Sequence, residues 1–217
     1  MNSHTAIEPS VLYFGTPVVL LSTENEDGTF NLAPMSSAWA LGRTVVLGLG
    51  REGQTARNLQ ARPDLVINLP APDQWRAVER LAPLTGRTPV PPSKAAGCRF
   101  EPAKFAAAGL REEPSHLVRP PRAAECPLQL EARAERIRPD LSGDCVIVET
   151  TVLKVHAAHG LVVPGTQHID PAAWSPLIYN FRHYFGLGPE LGSSYRTETP
   201  RAATGRELSG HARRLVQ

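Results

Sequence analysis

Residues 17–33 carry the pattern that decides the fold: Pro17-Val-Val-Leu-Leu-Ser-Thr23, then Glu24-Asn-Glu-Asp-Gly28, then Thr29-Phe-Asn-Leu-Ala33. The first and last pieces are rich in apolar and β-branched residues, and the middle piece supplies turn chemistry. An Asp-Gly turn between two such runs is typical of a β-hairpin. The pattern therefore predicts two antiparallel strands joined by a short loop.

Further strands are predicted along the chain at residues 44–49, 65–69, 126–135 and 146–155. Between residues 126 and 135 apolar and polar residues alternate, which is the period of a strand with one buried face. Short helices are predicted at residues 54–61, 72–81 and 102–108. Hairpin connections outnumber helical crossovers, so we expect a mainly β protein, a closed or nearly closed antiparallel barrel with a few short helices.

Composition restricts the possible classes of function. The chain has 217 residues, enough for one barrel domain, and a formal net charge of +2, which argues against nucleic acid as a partner. No apolar run approaches the roughly 18 residues of a transmembrane helix, and residues 1–10 lack the apolar core of a secretory signal. We therefore expect a soluble, cytoplasmic protein with no membrane partner.

The three cysteines are an odd number at wide spacings, which argues against a disulfide framework and a CxxC-type zinc site. Cys126 and Cys145 fall on apolar positions of predicted strands, where we expect buried thiols that behave as small hydrophobes. Cys98 lies in a loop beside Arg99, so a reactive thiol is the alternative there.

Gly48-Leu-Gly50-Arg-Glu-Gly53 matches GxGxxG between a predicted strand and a predicted helix, the context of a Rossmann dinucleotide site. The helix is too short to cover a parallel sheet, and the next strand ends on Asn68-Leu-Pro70 without a carboxylate for a ribose hydroxyl. Strand and helix also do not alternate afterwards. We therefore interpret these glycines as a strand exit and a turn.

Two segments together predict a phosphate site. Asn31-Leu-Ala-Pro-Met-Ser-Ser37 ends a strand with two adjacent hydroxyls, and Arg51-Glu-Gly-Gln-Thr-Ala-Arg-Asn58 opens a helix. A helix N-terminus offers free N–H groups, and Arg51 adds a bidentate donor, a combination that suits a phosphate monoester. The alternative is that Ser36 and Ser37 are turn residues and that Thr55 caps the helix.

These segments resemble the flavin reductase-like family, which includes flavoredoxins and the reductase components of two-component flavin-dependent monooxygenases. The resemblance covers most of residues 10–200 and is carried by these stretches: Asn31-Leu-Ala-Pro-Met-Ser-Ser-Ala38, Gln54-Thr-Ala-Arg-Asn58, Val66-Ile-Asn68, Glu125-Cys-Pro-Leu-Gln-Leu-Glu131, Val155-His156, Ile169-Asp-Pro171 and Trp174-Ser-Pro-Leu-Ile-Tyr-Asn-Phe-Arg-His-Tyr-Phe-Gly-Leu-Gly188. It implies the FMN-binding split-barrel fold, with residues 1–200 as one domain and 201–217 as a polar C-terminal tail.

The resemblance implies an FMN-dependent oxidoreductase of the flavin reductase type, in which NADH or NADPH reduces the flavin. The reduced flavin is then supplied to a partner monooxygenase or used on a bound substrate. Two alternatives stay open: an enzyme with retained FMN that acts directly on an organic metabolite, and a non-catalytic flavin-binding electron carrier. Members of the family are typically homodimers with FMN at the subunit interface.

Carried over by position, the resemblance also implies site residues. The expected FMN contacts are Ala33, Pro34, Met35, Ser36, Ser37, Arg51, Gln54, Thr55 and Asn58. His183 and Tyr184 are the candidate catalytic residues, and Trp174 and His168 are candidates for covering the flavin ring or contacting substrate. The alternative for Trp174, Tyr179, Phe181 and Phe185 is packing in a dimer interface.

The histidine spacing predicts no metal site. His156 lies on a predicted strand, where we expect a satisfied structural histidine. His156 and His159 are close in sequence but have no acidic or cysteine neighbours, and the pair His168 and Asp170 has no third ligand. No serine sits in a GxSxG elbow, so we expect no hydrolase triad.

Overall fold

The computed structural model describes residues 3–197. Within that range the strands are β1 Phe14–Pro17, β2 Val19–Glu24, β3 Phe30–Met35, β4 Ala38–Leu41, β5 Thr44–Gly50, β6 Asp64–Leu69, β7 Leu84–Thr85, β8 Arg99–Phe100, β9 Glu112–Glu113, β10 Arg122–Ala123, β11 Leu128–Pro139, β12 Cys145–Ala157, β13 Ile178–Asn180 and β14 His183–Phe185. The α-helices are α1 Gln54–Ala61, α2 Trp75–Leu81 and α3 Lys104–Ala108, and single 3-10 turns lie at Pro72–Gln74, Pro92–Lys94 and His159–Leu161.

The main sheet has seven antiparallel strands in the order β3-β2-β6-β11-β12-β5-β4. Its two edge strands are consecutive in the chain, with only Ser36 and Ser37 between them. A flat sheet of this width separates its edges by roughly 29 Å, whereas the three peptide steps from Met35 to Ala38 span about 11 Å at most. The sheet therefore curls into a barrel, and its seam lies at Ser36-Ser37.

The predicted mainly β, antiparallel split barrel with a few short helices is confirmed. β2 and β3 form the predicted hairpin, with Leu21 opposite Ala33, and α1 coincides with the predicted helix at residues 54–61. The strand that contains Gly48-Leu-Gly50, β5, pairs antiparallel with β12, as expected for a fold that is not a Rossmann fold.

The aromatic C-terminal stretch forms strands that the sequence pattern did not predict. β13 and β14 pair with each other, and β13 also pairs with β1, so that a separate three-stranded sheet is built from both ends of the described chain. The predicted tail at residues 201–217 lies outside the described residues, and the boundary at residue 200 stays a prediction.

Two hydrophobic clusters lie on opposite sides of β2. Val19 and Leu21 point into the barrel interior, whereas Leu20 packs with Val18 in a second layer beneath α2 and α3. Because both faces are covered, the strand is buried without the alternation of a half-exposed strand. This explains why residues 17–23 form a continuous apolar run.

The first half of the polar face of β11 is also buried, although the alternation at residues 126–135 predicts one exposed face; Arg133 and Glu135 on the same face are exposed. Gln129 is 5% exposed and Glu131 is fully buried, because the segment at residues 113–122 lies across them. The Glu131 carboxylate accepts the N–H of His116 at 2.8 Å and that of Leu117 at 2.5 Å, and it contacts His156 Nε2 at 2.6 Å. His156 is thus a satisfied strand histidine with an acidic neighbour that sequence spacing did not reveal.

These contacts decide the ionisation of Glu131. Burial on its own raises the pKa of this carboxyl, but the N–H groups of His116 and Leu117, together with His156, bring the pKa below the ordinary 4.5. A lowered pKa in the folded state stabilises the fold above the ordinary value. That contribution disappears as the pH falls through the folded-state pKa.

The cysteines follow the expectation in part. All three are free, and Cys126 is buried, with burial and the neighbouring Glu125 raising the pKa of its thiol to about 12. The expectation of a buried Cys145 is wrong. The side chains of β12 that enter the core include Val146 and Val148, so the preceding position points outward. Cys98 is half-buried.

We expect Glu131→Gln to lower the free energy of unfolding at pH 7 by about 1–3 kcal/mol, because the amide leaves a buried N–H without its acceptor. Glu135→Gln, an exposed change on the same strand, is the control and should stay within about 0.5 kcal/mol of wild type. Urea denaturation at pH 7 and below pH 4.5 measures both effects. If Glu131→Gln lost as much stability as wild type on acidification, the assigned role of Glu131 would be wrong.

Candidate functional site

A cleft of about 370 Å³ opens at the barrel seam, a size typical of small-molecule and cofactor sites. It lies where the β3–β4 connection, the end of β5 and the start of α1 meet. Its lining residues are Tyr13, Val18, Leu21, Ala33, Pro34, Met35, Ser36, Ser37, Gly48, Leu49, Gly50, Gly53, Thr55, Ala56, Val78, Ala82, Lys94, Tyr179 and Tyr184.

The cleft gathers a large part of the predicted flavin site. All five residues from Ala33 to Ser37 line it, as does Thr55, and Tyr184 lies on its opposite side. The seam accounts for this arrangement, because the two-residue connection between β3 and β4 lines the same cleft as Thr55 and Ala56 of α1. The alternative of plain turn serines does not explain why both line a cleft.

Three predicted flavin contacts do not line the cleft. Arg51 turns away and donates from Nη1 to the carbonyl oxygen of Gly143 at 3.3 Å. Gln54 Nε2 donates to Asn58 Oδ1 at 2.7 Å, and Asn58 Nδ2 donates to Thr23 Oγ1 at 3.0 Å. Residues four apart share one face of a helix, and this face ties α1 to β2 rather than facing the cleft.

Three further predicted residues lie elsewhere in the described chain. His183 is exposed on β14, and neither His168 nor Trp174 lines the cleft. The Trp174 N–H donates to the Asp170 carbonyl in the loop that precedes β13. Tyr179, for which the sequence analysis gave packing in a dimer interface, lines the cleft.

The N-terminus of α1 carries unused hydrogen-bond donors at the cleft wall. Its N-cap is Gly53, which has no side chain to cap the helix, so the alternative that Thr55 is the cap is wrong. In the described part of the chain, the N–H groups of Gln54, Thr55 and Ala56 have no acceptor. Free N–H groups and the positive end of the helix dipole attract an anion.

Lys94 is the cation beside this helix end, and sequence reasoning missed it. Its Nζ lies 3.6 Å from the point where a Cβ on Gly53 would sit. The side chain is half-buried and makes no hydrogen bond or ion pair with any described residue. It belongs to the Pro92–Lys94 turn, at the end of the proline-rich residues 83–92, where no sequence periodicity predicts an element.

The three glycines of the GxGxxG match all line the cleft. A Cβ on Gly48 would meet the Ser37 Cβ at 3.1 Å, and the Gly48 N–H donates to the Ser37 carbonyl at 2.8 Å. The glycine is therefore needed for the close approach of β5 to the seam. These glycines do lie at a strand exit and a turn, as predicted. The prediction did not include their place in the lining of the cleft.

An aromatic wall closes the other side of the cleft. The ring centroids of Tyr13 and Tyr179 are 5.4 Å apart, and those of Tyr179 and Tyr184 are 5.3 Å apart. The Tyr184 hydroxyl donates to Glu79 Oε2 at 2.9 Å, and burial together with Glu79 raises the pKa of this phenol. Tyr184 therefore stays neutral and offers an aromatic surface, while its proton is held by Glu79.

Within residues 3–197, one group of three histidine, cysteine or acidic side chains could hold a metal ion, and it is formed by His116, Glu131 and His156. Their potential ligand atoms all lie within 4.8 Å of one another. The carboxylate is already occupied by two backbone N–H groups and by His156. The two imidazole rings meet edge-on with centroids 4.8 Å apart. Packing and hydrogen bonding account for this arrangement, and the absence of a metal centre stays a prediction.

A family model described as flavin reductase like domain matches residues 11–188. The chain belongs to the flavin reductase-like family. It is 47% identical over 195 residues to the uncharacterized protein YdfE of Bacillus subtilis (strain 168), covering 89% of this chain and 94% of that protein. Within residues 3–197, no helix combines the length and the apolar character needed to span a bilayer.

Solved structures of other proteins share the fold. Flavoredoxin of Desulfovibrio vulgaris (Miyazaki F) superposes with a TM-score of 0.75 at 18% identity, over 91% of this chain and all of that one. Nitrilotriacetate monooxygenase component B from Bacillus cereus gives a TM-score of 0.70 at 18% identity, over 89% of this chain and all of that one. At this identity the likeness establishes the fold and leaves the substrate open.

Proposed function

We propose that this member of the flavin reductase-like family is an FMN-dependent oxidoreductase that uses NADH or NADPH as electron donor. Family membership supports an oxidoreductase that handles flavin. The observation that carries FMN is the polar end of the cleft, where uncapped N–H groups, serine hydroxyls and the unpaired Lys94 converge. This donor set matches a phosphate monoester.

The rest of the cleft suits a planar ring. Apolar atoms of Leu21 and Met35 line it from the barrel side, and the tyrosine wall lies opposite. We infer that the backbone of Ala33–Ser37 contacts the polar edge of the isoalloxazine and that Tyr179 and Tyr184 cover its face. The residues present therefore fit FMN at both its apolar and its charged end.

A bound flavin supplies the redox chemistry by accepting a hydride from the nicotinamide, and the protein supplies position and electrostatics. In this proposal Ser36, Ser37, Thr55 and Lys94 hold the phosphate. The tyrosine wall orients the ring and excludes water. Tyr184 contributes as an aromatic contact, because its hydroxyl proton is committed to Glu79.

The destination of the electrons separates the remaining functional alternatives. A reductase that releases reduced flavin needs a partner monooxygenase, as the name of the Bacillus cereus component B indicates for that protein. A retained FMN instead reduces an organic metabolite directly or makes the protein an electron carrier. We favour the reductase, and we expect it in the cytoplasm, where nicotinamide nucleotides are available.

The visible absorption spectrum of the dialysed protein, followed by anaerobic addition of NADH or NADPH, tests the proposal. Bands near ~370 and ~450 nm that bleach on addition indicate a retained FMN. A colourless protein that oxidises the nicotinamide only when FMN is supplied indicates a released flavin. Bands that stay unbleached favour the electron carrier, and a protein that binds no flavin in either format contradicts the proposed function.

Lys94→Met and Arg51→Met each remove one positive charge. Comparing them shows whether Lys94, which the structure places at the cleft, or Arg51, which the sequence predicted, contacts the phosphate. We expect Lys94→Met to weaken FMN binding about tenfold or more, because a charge-assisted hydrogen bond to phosphate is lost. Arg51→Met should stay within about twofold of wild type. Quenching of flavin fluorescence measures both dissociation constants. The reverse order would return the phosphate contact to Arg51.

We further propose a homodimer that forms through an apolar outer face of the barrel, defined by Trp39, Leu41, Leu153 and Val155. Trp39 and Leu41 alternate with the inward Ala38 on β4, and all four side chains are exposed in the single chain. Contiguous exposed apolar surface on a globular protein marks an interaction site. A second copy of this chain is the expected partner.

Leu41→Lys should convert the homodimer into a monomer, because it places a charge on the apolar outer face. Leu141→Lys is the matched control, since Leu141 is fully exposed on the turn between β11 and β12. Light scattering coupled to gel filtration should give about twice the 23.5 kDa chain mass for wild type and the control. A wild-type monomer with FMN bound would contradict the interface.

A further inference from the structure

Lys104 is a buried cation without an anionic partner. It lies on α3 with 3% of its surface exposed, and none of the described carboxylates forms an ion pair with it. Lysine is almost never fully buried unless it is paired, because removing an ammonium ion from water is costly. Its one hydrogen bond is donated from Nζ to Asn31 Oδ1 at 3.3 Å. If this position were needed only for packing, an apolar residue would stabilise the fold more than a lysine does.

The hydrogen bond from Lys104 fixes the direction of a short chain of polar groups. An ammonium only donates, so it must face the carbonyl oxygen of the Asn31 amide. The Asn31 amide nitrogen then faces Thr55 and donates to Oγ1 at 3.1 Å. Because Thr55 Oγ1 accepts this bond, its own proton is free for another acceptor. Among the described residues no group accepts it, and Thr55 lines the cleft.

Close packing keeps this chain in place. A Cβ on Gly86 would come within 2.5 Å of Asn31 Oδ1, so the backbone at Gly86 presses against the amide and leaves it little room to rotate. Asn31 is itself 1% exposed on β3. The three side chains therefore form a rigid line from α3, through the barrel strand, to the first turn of α1.

We propose that Lys104 is a positioning residue for the flavin phosphate: acting through Asn31, it aims the Thr55 hydroxyl as a donor into the cleft and favours a doubly charged phosphate monoester there. This inference rests on the proposed function and deepens it. It makes the charge of the ligand a requirement of the site, so the site should discriminate FMN from riboflavin, which has no phosphate.

The electrostatic surroundings of Lys104 agree with an anion as the missing partner. Burial, and to a lesser extent the nearby Lys94, lower the pKa of this lysine to about 8, while Cys98 acts in the opposite direction. The other ionisable groups on α2, which packs against α3, are Arg76, Glu79 and Arg80; Glu79 is held by Tyr184, and Arg80 donates to the Ala108 carbonyl. A bound phosphate dianion would favour the protonated lysine. Affinity for FMN should therefore fall as the pH rises above about 8.

Titration of flavin fluorescence at pH 7 with FMN and with riboflavin tests the proposal. We expect Lys104→Met and Thr55→Val each to weaken FMN binding about tenfold or more and to leave riboflavin binding within about twofold. The double variant should bind FMN about as weakly as the more affected single variant, because both changes interrupt the same chain of contacts. Thr55→Ser keeps the hydroxyl and should recover most of the FMN affinity that Thr55→Val loses. Lys154→Met removes the third lysine of the chain and is the control that should bind FMN like wild type.

The pH profile of FMN affinity provides a second readout, measured first on the wild-type protein. A decline above pH 8 that Lys104→Met abolishes supports the proposal, and the same decline in Cys98→Ala excludes the thiol as its source. Equal losses for FMN and riboflavin, multiplied losses in the double variant, or unchanged FMN affinity in Lys104→Met would overturn the role of Lys104. Wild type that binds neither flavin would instead overturn the proposed function itself.

Discussion

The two-residue connection between β3 and β4 is the constraint on which the rest of the structure depends. A seven-stranded sheet whose edge strands are joined by Ser36-Ser37 must curl until the edges meet. Closure brings the end of β5 against the seam, where Gly48 allows backbone contact with Ser37. The start of α1 and both serines then line one cleft. The site is therefore a product of barrel closure and not an addition to it.

Local patterns were sufficient to predict the parts of this arrangement that are local. The hairpin at residues 17–33, the helix at 54–61 and the strand alternation at 126–135 each follow from periodicity and turn chemistry. The serines of the seam and Thr55 were also predicted, because local sequence patterns indicate where a strand ends and where a helix starts. Six of the nine predicted flavin contacts line the cleft, so most of the fold and part of the site follow from local sequence patterns.

What could not be predicted depends on contacts between distant segments. Nothing in sequence shows that the segment at residues 113–122 covers Glu131, or that Cys145 falls on the outward side of a strand end. Arg51 was the obvious cation next to the helix, yet it bonds to Gly143 across a turn, while Lys94 arrives from an irregular proline-rich stretch. Charge and proximity along the chain are poor guides to which cation faces a ligand.

The burial of β2 on both faces has a consequence for how ligand preference changes within this fold. Val18 and Leu21 both line the cleft, but the first belongs to the layer under α2 and α3 and the second to the barrel interior. The floor of the cleft is packed between two hydrophobic clusters, so a change of either side chain disturbs the packing of one of them. The lining residues that belong to neither cluster, such as Tyr13 and Lys94, are the positions where ligand preference can change without repacking a core. Redesign for a new substrate should begin there.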